Sequence, residues 1–387
     1  MLYDVLIQQG EVIDPSQGLR GVRDVAVLDG KIVKVAQSIP EVEATFTIDG
    51  RGLYVVPGLI DLHVHVYHDH TPWGLDPDEL CSAGGVTTML DTGSAGSNNF
   101  PGFVEIAKRA KTEVLGLVNL SCAGLVAANL GELRDRRYAD LAGTVETIRR
   151  FPDVAVGVKI RAGKHLIGEG EQGWANFLDA VKAARESGTW LMVHIGESPM
   201  SIPEMIEHFE PGDCITHCFK GGSTRILDDE GRLFPAVREA AECGIVFDVG
   251  HGFGSLQWEV VEAALEQGFE PTTISTDLHT KNIHGPVYDM PTTMSKFLHL
   301  GVSLERVIEM STTAPAKVLG RSDDLGTLKE GTRADIALLE KREGEFVFTD
   351  SYRQTRTGSE LLVAAATIRR GEIVPGGGGL RMRKLPQ

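Results

Sequence analysis

Between residues 58 and 322, eight short apolar or β-branched runs alternate with helical stretches, and no other feature constrains the fold as tightly. The runs fall at 59–66, 86–91, 114–120, 154–160, 190–195, 214–219, 244–249 and 272–276, with amphipathic segments such as 173–187, 233–243 and 257–267 between them. Runs that are apolar on both faces suit a parallel sheet covered by helices. Eight strand–helix units in about 265 residues is the size of a (β/α)8 barrel. A doubly wound open sheet is the alternative, but no Gly-x-Gly-x-x-Gly fingerprint follows any run. The expected class is therefore α/β, as a (β/α)8 TIM barrel.

The two ends of the chain have a different texture. Asp24 to Ala36 holds two alternating apolar runs around Asp29-Gly30, a dipeptide suited to a tight hairpin turn. Strand-like runs recur at 46–50 and 53–56, and again at 326–339, 345–348 and 361–373. Residues 1–57 and 323–387 are thus expected to meet in one small β-sandwich domain, with 58–322 as the barrel. Gly376–Gly379, ahead of Arg381, Arg383 and Lys384, reads as a mobile terminus.

Charge narrows the partners. The 38 Lys+Arg against 54 Asp+Glu leave a formal net charge of −16, which argues against a general nucleic-acid or anionic-membrane surface. No run approaches the ~18 apolar residues of a membrane span, and the start shows no signal-peptide pattern. The five cysteines form no framework of close pairs, as expected of reduced thiols in a cytoplasm.

Functional side chains of such a barrel sit at the C-terminal ends of the strands. The first run carries Asp61-Leu-His-Val-His65 and the fourth ends in Lys159-Ile-Arg161. The fifth and sixth end in His194 and His217, the seventh in Asp248-Val-Gly-His251, and the eighth in Ser275-Thr-Asp277. His63 and His65, two apart, point to one side of a strand, here the barrel interior, leaving Leu62, Val64 and Val66 to the helices. Imidazoles and a carboxylate are good ligands for Zn²⁺ or a similar divalent ion. Any one of these histidines reads most simply as a satisfied core residue; their convergence on one rim points to metal. His68, His70, His279, His284 and His165 lie in loops of the same rim, whereas His208 and His299 fall in helical stretches.

Lys159 is the most informative position. It ends an apolar run and should point into the barrel mouth, where burial depresses an ammonium's pKa and yields a nucleophilic amine. Such an amine can add CO₂ to form a carbamate able to bridge two metals. The alternative is an ammonium that reaches an acidic partner.

Pro57-Gly-Leu-Ile-Asp-Leu-His-Val-His65, the series Lys159, His194, His217 and Asp277, Thr313-Ala-Pro-Ala-Lys-Val-Leu-Gly320 and Gly331-Thr-Arg-Ala-Asp-Ile336 together resemble the amidohydrolase superfamily. Within it the chain resembles the binuclear, lysine-carbamate branch. Gly85-Val-Thr-Thr88, Asp91-Thr-Gly-Ser-Ala-Gly96 and the stretch from Gly285-Pro to Lys296 are similar to a dihydroorotase-like deacetylase group linked to acetyl-mandelate-type substrates.

The resemblance implies one metal on His63, His65 and Asp277 and a second on His194 and His217. Lys159, as N6-carboxylysine formed from CO₂ or bicarbonate, would bridge them beside a hydroxide. Zn²⁺ is placed first and Mn²⁺ second. Asp277 would take the hydroxide's proton during attack and pass it to the leaving group.

Where dihydroorotases place a carboxylate-binding arginine, this chain has Tyr67, a substrate-facing position; Arg161 is the candidate grip for a carboxylate, with a structural salt bridge as its alternative. His251 is expected to orient substrate or meet an oxyanion. The implied activity is hydrolysis of an amide or ester, an acetyl group foremost, on a small, anionic, carboxylate-bearing molecule. A cyclic-amide hydrolase of the hydantoinase or dihydroorotase type is the alternative. A non-enzymatic dihydroorotase-like scaffold is disfavoured because all six ligand positions are intact. A homo-oligomer is compatible with this reading.

Overall fold

The computed structural model describes residues 2–39, 44–375 and 382–384. Within them one sheet is parallel and runs in strict chain order: β6 (Leu59–Val64), β7 (Val86–Gly96), β8 (Glu113–Asn119), β9 (Ala155–Arg161), β10 (Trp190–His194), β11 (Cys214–Thr216) and β12 (Val246–Asp248). The other sheet contains β1 (Tyr3–Asp14), β2 (Leu19–Leu28), β3 (Lys31–Ala36), β4 (Ala44–Asp49) and β5 (Leu53–Pro57) from one end of the chain. From the other end it takes β13 (Ile336–Thr349), β14 (Thr355–Arg369), β15 (Glu372–Pro375) and β16 (Met382–Lys384). Among the described residues, then, seven of the eight expected barrel strands form ladders.

The eighth run closes the ring without becoming a regular strand. Residues 272–278 make single parallel bridges to both neighbours, Asp248 with Thr273 and Val64 with Leu278. Backbone bonds from His65 N to Leu278 O, Asp277 N to His63 O and Val249 N to Thr273 O hold it in place. A ladder fails because Thr276 N donates to the Asp61 carboxylate at 3.0 Å and Asp277 takes a left-handed φ of 51°. The barrel is nearly closed, and its seam lies at the run that bears Asp277.

Helix sequences fit their covering role. The helix Gly170–Ser187 buries Phe177, Ala180 and Ala184 on one stripe, and Trp258–Glu266 buries Trp258, Val261 and Ala264. Val64 and Val66 join Phe100 and Phe103 in the large core outside the strands, as expected. Leu62 does not. It packs with Leu90, Leu117, Met192 and Cys214, because the β6–β7 register shifts between Asp61 and Val64 and interrupts strict alternation.

In the nine-stranded sheet, Asp29 and Gly30 adopt φ of 51° and 71°, the left-handed pair that joins β2 to β3. β1 pairs with β4 along its first half and with β5 further on, while β5 also pairs with β13, so strands from both chain ends share this sheet. The expected mobile Gly376–Gly379 and Arg381 lie outside the described residues, whereas Arg383 and Lys384 sit in β16 against β4. β13 and β14 run as a long hairpin whose tip, residues 350–354, touches the barrel: Ser351 N donates to Leu256 O and Trp258 Nε1 to Gln354 O.

Charge ties the two sheets together at Glu113, the first residue of β8. Arg321, Arg333, Arg369 and Arg370 approach its carboxylate at 3.0, 2.5, 3.3 and 3.1 Å. Burial by itself raises this carboxyl, but the charges of Arg333 and Arg321 and their hydrogen bonds overcome it and hold the group down to about 2. A depressed native pKa gives stability that is complete above the ordinary value of 4.5 and disappears as pH falls towards about 2. Glu113→Gln is therefore expected to lower the calorimetric Tm at pH 7 by roughly 3–8 °C. The gap to wild type should shrink as pH falls below 4.5, where the native carboxylate begins to lose its advantage.

Candidate metal centre

The loops and strand ends at one mouth of the barrel enclose a cavity of about 660 Å³. His63, His65, Lys159, His194 and Asp277 reach its floor from β6, β9, β10 and the closing segment. His217 stands immediately behind, its ring centroid 4.2 Å from that of His194 and 4.9 Å from that of His63. Ligand atoms of His63, His217 and Asp277 lie within 4.8 Å of one another.

Three of the four rings are oriented from behind, and for His217 and His63 the partners fix the tautomer. His217 Nδ1 is 2.6 Å from Gly250 O, a carbonyl that can only accept, so Nδ1 carries the proton. Nε2 of His217 is buried and has no partner among the described residues, a lone pair aimed at the cluster. His63 Nδ1 is 2.7 Å from Thr216 Oγ1, and that hydroxyl donates to Asp248 Oδ2 at 2.7 Å. Thr216 must therefore accept from Nδ1, leaving His63 Nε2 free to face Lys159 and Asp277, at 3.5 and 3.4 Å. His65 Nδ1 contacts Ser94 Oγ at 2.9 Å and its Nε2 lies 3.1 Å from Asp277 Oδ1. Imidazoles backed by hydroxyls, carbonyls and carboxylates are how proteins present metal ligands.

Burial keeps the bases neutral. Desolvation lowers His63, His194 and His217 well below the usual imidazole range, and takes His65 down to about 3. The same burial brings the Lys159 amine down to about 8, against the opposing pull of Asp277. Among the described residues Lys159 pairs with no carboxylate; Nζ touches only Met192 Sδ at 3.2 Å and His63 Nε2. The alternative of a lysine paired with an acid is not what the structure places there. Asp277 is raised to about 6 by burial, partly countered by His279 and Lys159. Four neutral imidazoles, an amine and a carboxylate, with an orphaned nitrogen among them, fit divalent cations better than they fit one another.

Close approach explains two of the glycines at strand ends. A Cβ on Gly93, whose φ is 84°, would lie 2.8 Å from the Lys159 stem, and one on Gly252 would lie 2.5 Å from Asp277 Oδ2.

Three expectations for substrate contacts meet different outcomes. Arg161 lines the cavity, but its guanidinium is 3.3 Å from the buried Glu132 carboxylate and 4.8 Å from the centroid of Trp73. Tyr67 does not line it: its ring is buried and its hydroxyl donates to Asn99 O at 2.9 Å, behind the wall. His251 does not line it either. Both ring nitrogens are taken, Nδ1 by Gly252 O at 3.0 Å and Nε2 by the buried Lys296 ammonium at 2.6 Å. A fully buried ring with both nitrogens engaged cannot meet substrate. Of the histidines expected in rim loops, His165, which the structure places in the short helix Lys164–Ile167, and His279 line the cavity, and His68, His70 and His284 do not.

Other wall residues had no signal in the sequence. Lys164, Lys220 and Lys281 bring cations, Trp73 stacks on His279 with centroids 5.3 Å apart, and Tyr352 arrives from the β13–β14 hairpin tip. Only the folded chain brings residue 352 to this rim.

A family model described as the Amidohydrolase family matches residues 54–374. A protein named deacetylase from Brucella anthropi is 39% identical over 326 residues, covering 84% of this chain and 80% of its own length. Another named deacetylase, from Enterococcus faecalis, is 35% identical over 378 residues, covering 96% of this chain and 99% of its own. A solved structure described as an adenine deaminase superposes with a TM-score of 0.88 at 35% identity, covering 96% of this chain and all of that one.

The hydroxyl behind His63 offers a direct test of the tautomer argument. Thr216→Val keeps the shape but removes the Nδ1 acceptor, and should weaken metal retention roughly 10- to 100-fold in a chelator-competition titration.

Proposed function

This chain belongs to the amidohydrolase family, and we propose that it is a binuclear metal-dependent hydrolase that removes an acyl group, acetyl foremost, from a small carboxylate-bearing molecule. One observation carries the reading: six potential ligands converge beneath a cavity whose walls hold Arg161, Lys164, Lys220 and Lys281. The names of the two deacetylase relatives support the acyl group as the part removed.

In this reading His63, His65 and Asp277 would hold one ion and His194 and His217 another, with Lys159, as a carbamate, a ligand for both. The Lys159 nitrogen bonds to the carbon of CO₂ and releases a proton, which an amine near pKa 8 does readily at neutral pH. A pair of divalent ions, Zn²⁺ first and Mn²⁺ second, supplies an acidified water and a polarised acyl carbonyl. Asp277 then has the chain's own part in the reaction. Its carboxylate would accept the proton of the attacking water and return it to the departing oxygen or nitrogen.

The cationic wall selects an anionic substrate from an otherwise acidic protein of net charge −16. In this division of labour residues 58–322 carry the chemistry and the two chain ends, 1–57 and 323–387, form a second domain that supports the mouth. Likeness to a solved adenine deaminase suggests a competing chemistry, but a single-metal deaminase has no use for an unpaired lysine at the end of β9.

Protein supplied with bicarbonate and Zn²⁺ or Mn²⁺ should carry about two equivalents by plasma emission analysis, and fewer than about one would overturn the binuclear centre. Asp277→Asn should lower kcat by roughly 10²–10⁴-fold with little change in KM. The substrate class is tested by a hydrolysis panel of O-acetyl α-hydroxy acids, N-acetyl amino acids, β-aspartyl dipeptides and hydantoins, in both enantiomers. Turnover confined to cyclic imides would replace acyl hydrolysis by cyclic-amide hydrolysis.

A further inference from the structure

The cavity holds more cations than it has uses for, and their partners differ. Lys164 is half-exposed at the rim and is paired with Glu197 at 3.2 Å. Lys281 is exposed and lies 5.5 Å from the centroid of Trp73. Arg161 has both Glu132 oxygens within reach of one nitrogen, Nη1, at 3.3 and 3.4 Å, and Glu132 is itself only 2% exposed, so its charge is already paired with a fixed internal carboxylate, although its Nε has no hydrogen-bond partner among the described residues. Lys220 is different. Among the described residues its ammonium donates to one group, the uncharged Gly254 O at 2.6 Å, and pairs with no carboxylate.

Its location suits a contact close to the reacting atoms. Lys220 follows β11 by a short turn, Lys220 N donating to His217 O at 2.9 Å, and so stands on the same loop as a ligand of the candidate centre. Its side chain lines the same cavity as His194 and Asp277. Burial lowers its pKa, and the anions opposing that, Asp277 and Glu197, form no ion pair with it. A partly desolvated ammonium with two unused donors beside the floor of an open cavity is completed by an anion.

We propose that Lys220 is the residue that binds the substrate's carboxylate, its two unused donors meeting the carboxylate oxygens, while Arg161 serves chiefly to hold Glu132 and Trp73 in the wall. This rests on the acyl-hydrolase reading for its substrate, but the contact itself is a matter of binding. Gly254 O fixes the ammonium between the loop after β11 and the loop after β12, so the carboxylate is held at the junction of the two. The scissile acyl group then extends towards Asp277.

The test uses metal-loaded wild type, Lys220→Met and Lys220→Arg, with O-acetyl-lactate and its neutral counterpart O-acetyl-lactamide. In wild type the acid should be preferred. In K220M the ratio of kcat/KM for acid over amide should fall roughly 10- to 100-fold, mainly through KM, with partial recovery in K220R. An unchanged ratio, or an equal loss on both substrates, overturns the proposal.

Binding is measured separately by titrating lactate into the same metal-loaded proteins in a calorimeter. A dissociation constant at least about tenfold weaker in K220M supports the contact even if neither acetyl compound is turned over, an outcome that bears on the acyl-hydrolase reading and not on the contact. Equal affinity in wild type and K220M, or no binding to either, overturns the contact itself.

Discussion

A fully buried carboxylate, Asp248 at the end of β12, accepts hydroxyl hydrogen bonds from Thr216, Thr273 and Ser275, each at 2.7 Å. Those residues belong to β11 and to the closing segment, so one charge spans the barrel seam on the side away from β6. It is tolerable only because three donors replace its water. Through Thr216 it sets the tautomer of His63, and through Ser275, whose Oγ also accepts from Gly250 N, it sets the turn whose carbonyl fixes His217. On the other side of the seam Asp61 does the same work, taking Thr276 N and Oγ1 and the His63 amide. Seam and site share their supports, and the irregular eighth segment is the structural cost of presenting Asp277.

The bases above those carboxylates are held neutral by desolvation and remain ready as donors of lone pairs. The cations that line the wall extend the same logic. The charge of Arg161 is paired with Glu132, as in a structural salt bridge, whereas Lys220 is left one anion short. Charge balance separates the two cations where their side-chain chemistry does not.

Much of this is legible in the residue pattern. The eight runs, the Asp29-Gly30 hairpin and the strand-rich ends correspond to ladders or, for the last run, to a bridged segment. His63, His65, Lys159, His194 and Asp277 come to one floor, with His217 immediately behind, because strand ends of a parallel barrel share a rim. The failures are equally physical. Strict alternation assigns Leu62 to the helices, and a register shift in β6 breaks that alternation. Position on the rim points His251 and Tyr67 into the cavity, yet a loop residue can turn either way. Lys296 and Asn99 O capture them in the wall. Trp73, Lys220 and Tyr352 carry no periodic signal, since loop side chains are directed by contacts far away in the chain.

The fold class and the candidate ligand positions follow from the amino-acid sequence, because period and strand-end position are local properties that survive any loop arrangement. Which cation is spent internally and which faces the cavity does not follow from it. That outcome depends on Glu132 standing beside Arg161 and on no acid standing beside Lys220, a difference made by loops after separate strands meeting in space. The protonated nitrogens of His217 and His63 are settled the same way, by a carbonyl at residue 250 and a hydroxyl at residue 216. A hydrogen bond acts over about 3 Å, and only folding brings its two ends that close.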